Sequence, residues 1–252
     1  MSGWDGFLAD YHARHPAVTE DLLRPMRGPG GAQPYEWLCQ GVDVDAPDAR
    51  VWDLACGSAP VADVVGTARY AGVDVSTAEL AVARARRPGV RVSHGDALTV
   101  DPPGRPSAVT VAMALMLLPL DDALSRAAAL LGPGAPLQAI VPTREHGAGT
   151  GYGELLDLLG QQGRGYRQPL EPAALAAACA RHGLVLRDDE VAVFRRPVPV
   201  ADVDLVVRSF YVRHPDGPGP EAARAWLAER AERPGYELDY PLRRVRMVRA
   251  GG

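Results

Sequence analysis

The 252-residue chain contains no lysine and no asparagine, and Ile140 is its one isoleucine. All 27 of its Lys+Arg positions are therefore arginine. Without lysine there is no Schiff-base chemistry, no lysine-linked pyridoxal phosphate and no lysine-bearing phosphate loop. The bias reads as the mark of a GC-rich genome. Cysteine is scarce: Cys39, Cys56 and Cys179 lie far apart without metal-ligand spacing. That pattern points to free thiols in a reducing, cytoplasmic setting and to no metal site. Long apolar runs are missing too. The longest, Ala108 to Leu118, has 11 residues and contains Thr110, short of the roughly 18 needed to cross a membrane. Trp4, Asp5 and Asp10 precede the first arginine, unlike a secretory signal. Positive charge is in deficit, with a net charge of −4, which argues against a general nucleic-acid binder.

What is present is a chain that is 47% hydrophobic and 23% charged. It is long enough to bury a core without a metal or disulfide staple, as one large domain or one domain with a cap. The first 45 residues read as a helical cap with one helix over Tyr11–Leu23 and another over Pro34–Val42, separated by the Gly/Pro stretch at 28–31. From Arg50 onward, short apolar runs alternate with amphipathic segments, the pattern of a parallel α/β sheet. Strands are expected at Val51–Leu54, Tyr70–Val75, Val90–Ser93, Ala108–Met113 and Pro136–Val141. Helices are expected at Val61–Ala68, from Ser76 to Arg87 with a Ser76/Glu79 capping box, from Asp121 or Asp122 as cap to Leu131, and over Gly153–Gly160. In the last third, Pro172–Arg181, Val200–Val212 and Glu221–Arg233 read as helices. Val185, Val191–Phe194 and Arg243–Val248 carry strand-like sequence. Residues 46–252 form the main domain in this reading, with lid helices inserted at about 198–234.

The first strand runs into Asp53-Leu54-Ala55-Cys56-Gly57-Ser58-Ala59-Pro60. Small residues at 55, 57 and 59 allow a sharp turn and close approach of backbone to a ligand. The following helix points free N–H groups at that turn. The segment is either a ligand cradle or a bare tight connection. A dinucleotide is disfavoured, because the G-x-G-x-x-G register gives Ala55, Gly57 and Pro60. Spacing adds a second signal. Asp74 lies 21 residues after Asp53, and Asp96 lies 22 further on. Successive strand ends then set three carboxylates along one edge, at the crevice where doubly wound sheets bind ligands. An acid after the second strand suits a pair of ribose hydroxyls, and one after the third suits an adenine amino group.

The segments DLACGSAP, GVDVS, HGDAL and VTVAMALMLLP together resemble the class I S-adenosylmethionine-dependent methyltransferases, most closely the small-molecule branch common in bacterial secondary metabolism. The likeness is carried mainly by residues 35–143. It implies a Rossmann-like, doubly wound, seven-stranded and mostly parallel sheet in the order 3-2-1-4-5-7-6, with the last strand antiparallel. It further implies S-adenosyl-L-methionine as cofactor. The contacts would come from Tyr11, Asp53, Ala55, Gly57, Asp74, Val75, Asp96, Ala97 and Met113. The sequence departs from the pattern where alanine replaces the usual glycine at positions 55 and 59, and where Ser58 replaces an acid.

The reaction so implied is methyl transfer to O, N or C of a small organic molecule by a cytoplasmic monomer or homodimer, with no membrane or nucleic-acid partner. No Asp-Pro-Pro-Tyr-type motif, as base-modifying relatives carry, follows the fourth strand. Orientation of the acceptor does most of the work in such a displacement, and a hydroxyl acceptor gains from a general base. His146, in the polar run after the fifth strand, is the candidate base. His12, His15, His94, His182 and His214 read mainly as structural, with His15 also placed to touch cofactor or substrate. Two rivals remain: an adenosylmethionine-binding enzyme that does not methylate, and a nucleotide-binding regulatory protein.

Overall fold

A computed structural model describes residues 3–143, 151–160, 171–212, 214 and 217–251. The elements run α1 (Gly3–Arg14), α2 (Val18–Leu23), α3 (Pro34–Cys39), β1 (Val51–Leu54), α4 (Val61–Val65), β2 (Tyr70–Asp74) and α5 (Thr77–Arg86). They continue with β3 (Val92–His94), β4 (Ala108–Ala112), α6 (Leu120–Leu130), β5 (Pro136–Pro142), α7 (Gly151–Leu158) and α8 (Pro172–Arg181). The last are β6 (Leu184–Pro197), α9 (Val203–Arg208), α10 (Pro218–Ala231) and β7 (Glu237–Arg249).

Seven strands form one sheet in the order β3-β2-β1-β4-β5-β7-β6, as the family resemblance implied. The pairs β1–β2, β1–β4, β2–β3 and β4–β5 are parallel. β7 runs the other way. Gly134 N–H donates to the Arg249 carbonyl, whereas Thr143 N–H, further along, donates to Pro241, earlier in β7. The bonds Ala250 to Gly183 and Val198 to Tyr236 set β6 against β7 in the same antiparallel sense. Cross-strand ion pairs reinforce that register: Asp189 with Arg243 at 2.6 Å and Glu190 with Arg244 at 2.9 Å.

The chain divides into two compact units. One comprises Tyr35–Val141, Arg167–Glu190 and Arg243–Gly252. Its core follows directly from the strand composition. All four residues of β1 and all five of β2 are buried, as strands of a sheet covered on both faces must be. α6 presents Leu120, Ala123, Leu124, Ala127 and Ala128 to this core, the i, i+3, i+4, i+7 spacing of an apolar helix face.

The other unit comprises Met1–Pro34, Pro142–Tyr166 and Val191–Leu242. Tyr152 packs on Tyr240 with ring centres 4.5 Å apart and on Phe210 at 5.6 Å. Arg196, fully buried, donates to the carbonyls of Leu22 and Pro197 and to Asp202 at 2.8 Å. It thereby satisfies carbonyls that would otherwise be orphaned inside the unit.

Several local expectations are corrected. The single helix expected over Tyr11–Leu23 is two, because Pro16 disfavours helix before it and Ala17 turns left-handed at φ 62°. The helix expected over Val200–Val212 is a 3-10 turn, Val200–Asp202, followed by α9. Neither Asp121 nor Asp122 caps α6; Pro119 stands at that position. Asp121 is drawn away to His182 at 2.9 Å and Arg181 at 2.7 Å. Half of the Ser76/Glu79 box forms: Ser76 Oγ accepts from Glu79 N–H, while Ser76 N–H donates to Asp74 instead. β6 is one strand of 14 residues. Among the described residues, no helix is long and apolar enough to cross a membrane, and no cluster of three acidic, His or Cys side chains could hold a metal.

Candidate functional site

The carboxyl ends of β1 to β4 carry most of the predicted site residues, and their backbone is unusually strained. Ala55, Gly57 and Ala59 follow β1 with φ of 53°, 53° and 63°, and Met113 follows β4 with φ 59°. Glycine visits this region freely, but for other residues it costs roughly 1–2 kcal/mol. Such strain persists where surrounding contacts over-determine it, and it concentrates at ligand sites. Here the contacts are identifiable. Cys56 N–H donates to Val73, Ala59 N–H to Cys56, and Met113 N–H to Ile140.

Asp74 is the junction of the site. One carboxylate oxygen accepts from Gly57 N–H and the other from Ser76 N–H, both at 2.8 Å. The carbonyl of the same residue accepts from Gly95 N–H. The end of β2 thus holds the turn after β1, the start of α5 and the turn after β3. Beside Asp74, Val75 is 62% exposed. That is an apolar surface at a strand tip, where a flat apolar ligand would find cover. Asp96 is exposed, and its carboxylate caps the turn by accepting from Leu98 N–H at 2.9 Å. Ala97 beside it is buried.

Asp53 departs from the expected row of carboxylates. It lies one residue before the end of β1, is fully buried, and accepts from Thr110 Oγ1 at 2.7 Å and Tyr70 Oη at 2.8 Å. Its carboxylate therefore braces β1 against β2 and β4 from inside. Burial pushes its carboxyl up to about 7, against the hydrogen bonds from Thr110 and Tyr70, with the charge of Asp74 adding to the rise. Burial also drives the Tyr70 hydroxyl and the Cys56 thiol well above their ordinary values. Gly72 makes this packing possible, since a Cβ there would lie 2.6 Å from Tyr70 Oη and 2.8 Å from Cys56 Sγ.

Sequence reasoning missed Arg87. It is buried, donates to the Ser58 carbonyl at 2.8 Å, and forks onto Asp63 at 2.9 and 2.6 Å. It clamps the turn and α4 from the end of α5. An arginine closing a helix gives no sequence signal of such a partner.

Tyr11 belongs to the unit of α1 and α9, where it is buried and its hydroxyl donates to the Arg208 carbonyl at 2.6 Å. Its ring meets Tyr211 at 5.0 Å and His15 at 5.2 Å. His15 is held below its ordinary value by burial first and by Arg208 next. His94 Nε2 lies 3.1 Å from the Val75 carbonyl, and His182 pairs with Asp121. His146 lies outside the described residues.

No protein-family model matches the chain, and no curated protein matches its sequence. Solved structures do match its fold. A Bacillus halodurans protein assigned as a methyltransferase superposes with TM-score 0.58 at 15% identity, over 86% of this chain and 99% of that one. The [4+2]-cyclase SpnF gives 0.54 at 17% identity, over 86% and 81%. The geranyl diphosphate C-methyltransferase of Streptomyces coelicolor, solved with magnesium, geranyl diphosphate and S-adenosyl-L-homocysteine, gives 0.50 at 17%, over 86% and 78%. The chain has the Rossmann-like fold of the class I methyltransferases.

Two outcomes test this geometry. Asp53 has its folded value raised above the ordinary 3.8. Its favourable contribution is therefore complete below pH 3.8 and is lost as pH rises through about 7, because the unfolded chain gives up the proton first. Asn can accept from one hydroxyl and donate to the other, so Asp53→Asn should gain on the wild type steadily between those limits in urea unfolding. Parallel pH profiles for the two proteins would refute the assignment. Separately, Ala55→Gly should raise stability by about 1 kcal/mol by relieving the left-handed strain. An unchanged or lower unfolding midpoint would mean that the strain is not borne at this residue.

Proposed function

We propose that the protein binds S-adenosyl-L-methionine along the carboxyl edge of β1 to β4 and transfers its methyl group to O, N or C of a small organic molecule. The observation that carries this reading is the Asp74 carboxylate at the tip of β2, joined by hydrogen bonds to the turn after β1 and flanked by exposed Val75. Each carboxylate oxygen accepts one backbone N–H. A carboxylate at that strand tip is the charged acceptor that a pair of ribose hydroxyls calls for. Val75 offers apolar cover to the purine, and Asp96 offers an acceptor for its amino group. Gly57 and Ala55 bring backbone close to the amino-acid end, with Ala97 and Met113 as further walls. Asp53 acts through the loop it supports rather than by contact.

When bound, the sulfonium supplies an activated methyl group with a good leaving group already attached. The chain's own task is then to orient the acceptor on that axis and exclude water. His146 is the candidate to accept a proton from a hydroxyl acceptor. The likeness to methyltransferase folds, one of them solved with a small organic diphosphate, supports a small-molecule substrate. Secondary metabolism is the proposed setting.

A second reading has its own observation. Alanine occupies two left-handed positions of the turn, and the fold neighbours include a [4+2]-cyclase. The protein would then bind the cofactor without consuming it.

Calorimetric titration should give micromolar binding of S-adenosyl-L-methionine and none of NAD or ATP. Asp74→Ala should weaken that binding by more than roughly tenfold, the loss of one charge-assisted pair of hydrogen bonds. Tight NAD binding, or indifference to Asp74→Ala, overturns the site. Mass spectrometry of product separates the two readings. One added methyl group with release of S-adenosylhomocysteine establishes transfer, whereas a transformed product with the cofactor intact establishes the second.

A further inference from the structure

The opposite edge of the sheet, where the strands begin, carries a feature that the proposed reaction does not use. Arg50 immediately precedes β1, Arg69 precedes β2 and Arg91 precedes β3. Parallel pairing aligns Trp52 with Ala71 and Gly72 with Val92, which makes Arg91 the neighbour of Ala71. Arg50 and Arg69 lie two residues before Trp52 and Ala71, and alternate residues of a strand share a face. Register therefore gathers three guanidinium groups and one indole on a single face of the sheet. They line one crevice, with the small side chain of Ala71 as part of its floor and the proline-rich 102–106 loop as its wall.

The chemistry of this crevice is one-sided. No carboxylate lines it. Among the described residues, the guanidinium groups of Arg50 and Arg69 make no hydrogen bond or ion pair, and Arg91 donates only to the Ala68 carbonyl. Elsewhere in this net-negative chain, Arg87, Arg126, Arg181 and Arg243 each meet an acid. Trp52 supplies an independent sign. It is 1% exposed, and its indole N–H has no acceptor among the described residues. A buried donor left unpaired is costly, and native structures seldom leave one without a reason.

We propose that this crevice binds a phosphate-type dianion. The crevice leaves about 10 Å³ for the centre of a water-sized group, room for one oxygen atom rather than a whole phosphate. One oxygen enters and accepts from Trp52 Nε1–H. The others remain at the mouth, where the three guanidinium groups surround them. Planar guanidinium matches phosphate oxygens in charge and in fork geometry, which favours phosphate over a monoanion. The ligand is free phosphate or the phosphoryl group of a phosphorylated metabolite. Binding here is separate from cofactor binding and does not depend on it.

The test is titration of the intact protein with orthophosphate and, in parallel, with glycerol phosphate, at constant ionic strength set with chloride. Binding is followed by calorimetry and by the indole N–H resonance that disappears in Trp52→Phe. The expected result is saturable binding that shifts this resonance. In the double variant Arg69→Ala/Arg91→Ala, binding should weaken by at least roughly tenfold. Both replaced side chains are exposed, so this variant should keep the wild-type fold, with thermal unfolding as the check. Tighter orthophosphate binding identifies the free anion as ligand, and tighter glycerol phosphate binding identifies a phosphorylated metabolite. Absence of a saturable shift with both probes, or an equal response in the folded double variant, overturns the proposal.

Discussion

The Asp74 carboxylate couples parts of the chain that sequence separates. Its two oxygens take the N–H of Gly57 and the N–H of Ser76, and its backbone oxygen takes that of Gly95. Hydrogen bonds to a charged acceptor contribute about 1.5–3 kcal/mol each. That is the same order as the cost of holding a non-glycine residue left-handed, which the chain does at Ala55 and Ala59. The turn after β1 keeps its shape because Asp74 holds it from the side and Arg87 from the Ser58 carbonyl. The edge offered to a ligand is thus set by contacts within the protein, before any ligand arrives.

Much of this architecture was legible in the sequence, and the reasons differ by element. β1, β2 and β4 were located to within a residue because strands buried on both faces leave continuous apolar runs. The tip acids were located by spacing, but spacing fixes only where a residue stands along the edge. Asp74 ends its strand and reaches the neighbouring turn. Asp53, one residue inside its own strand, turns inward to Tyr70 and Thr110. No one-dimensional pattern separates those two fates, since the partners of Asp53 lie on other strands. The same limit hid the clamp of Arg87 and the ion pairs that tie 188–190 to 243–246. The break between α1 and α2 is readable in principle from Pro16, which disfavours helix in the residue before it.

The fold by itself leaves the chemistry open. Its neighbours include methyltransferases and a [4+2]-cyclase, so one fold serves more than one transformation. The chain's own local features are alanines where glycine would relax the turn, an inward-facing acid under it, and an arginine-rimmed crevice at the far end of the same strands.

All three cysteines are buried, and burial raises the thiols of Cys39 to about 12 and Cys179 to about 11. Cys56 sits within the strained turn itself, packed on Tyr70 and Gly72. Thiolates are the reactive species in alkylation, so the native molecule resists such reagents until a segment opens. Modification at Cys56 consequently requires the packing of the turn on β2 to open. The thiol is in this way a chemical probe of the fold's local opening, placed in the polypeptide by its own sequence.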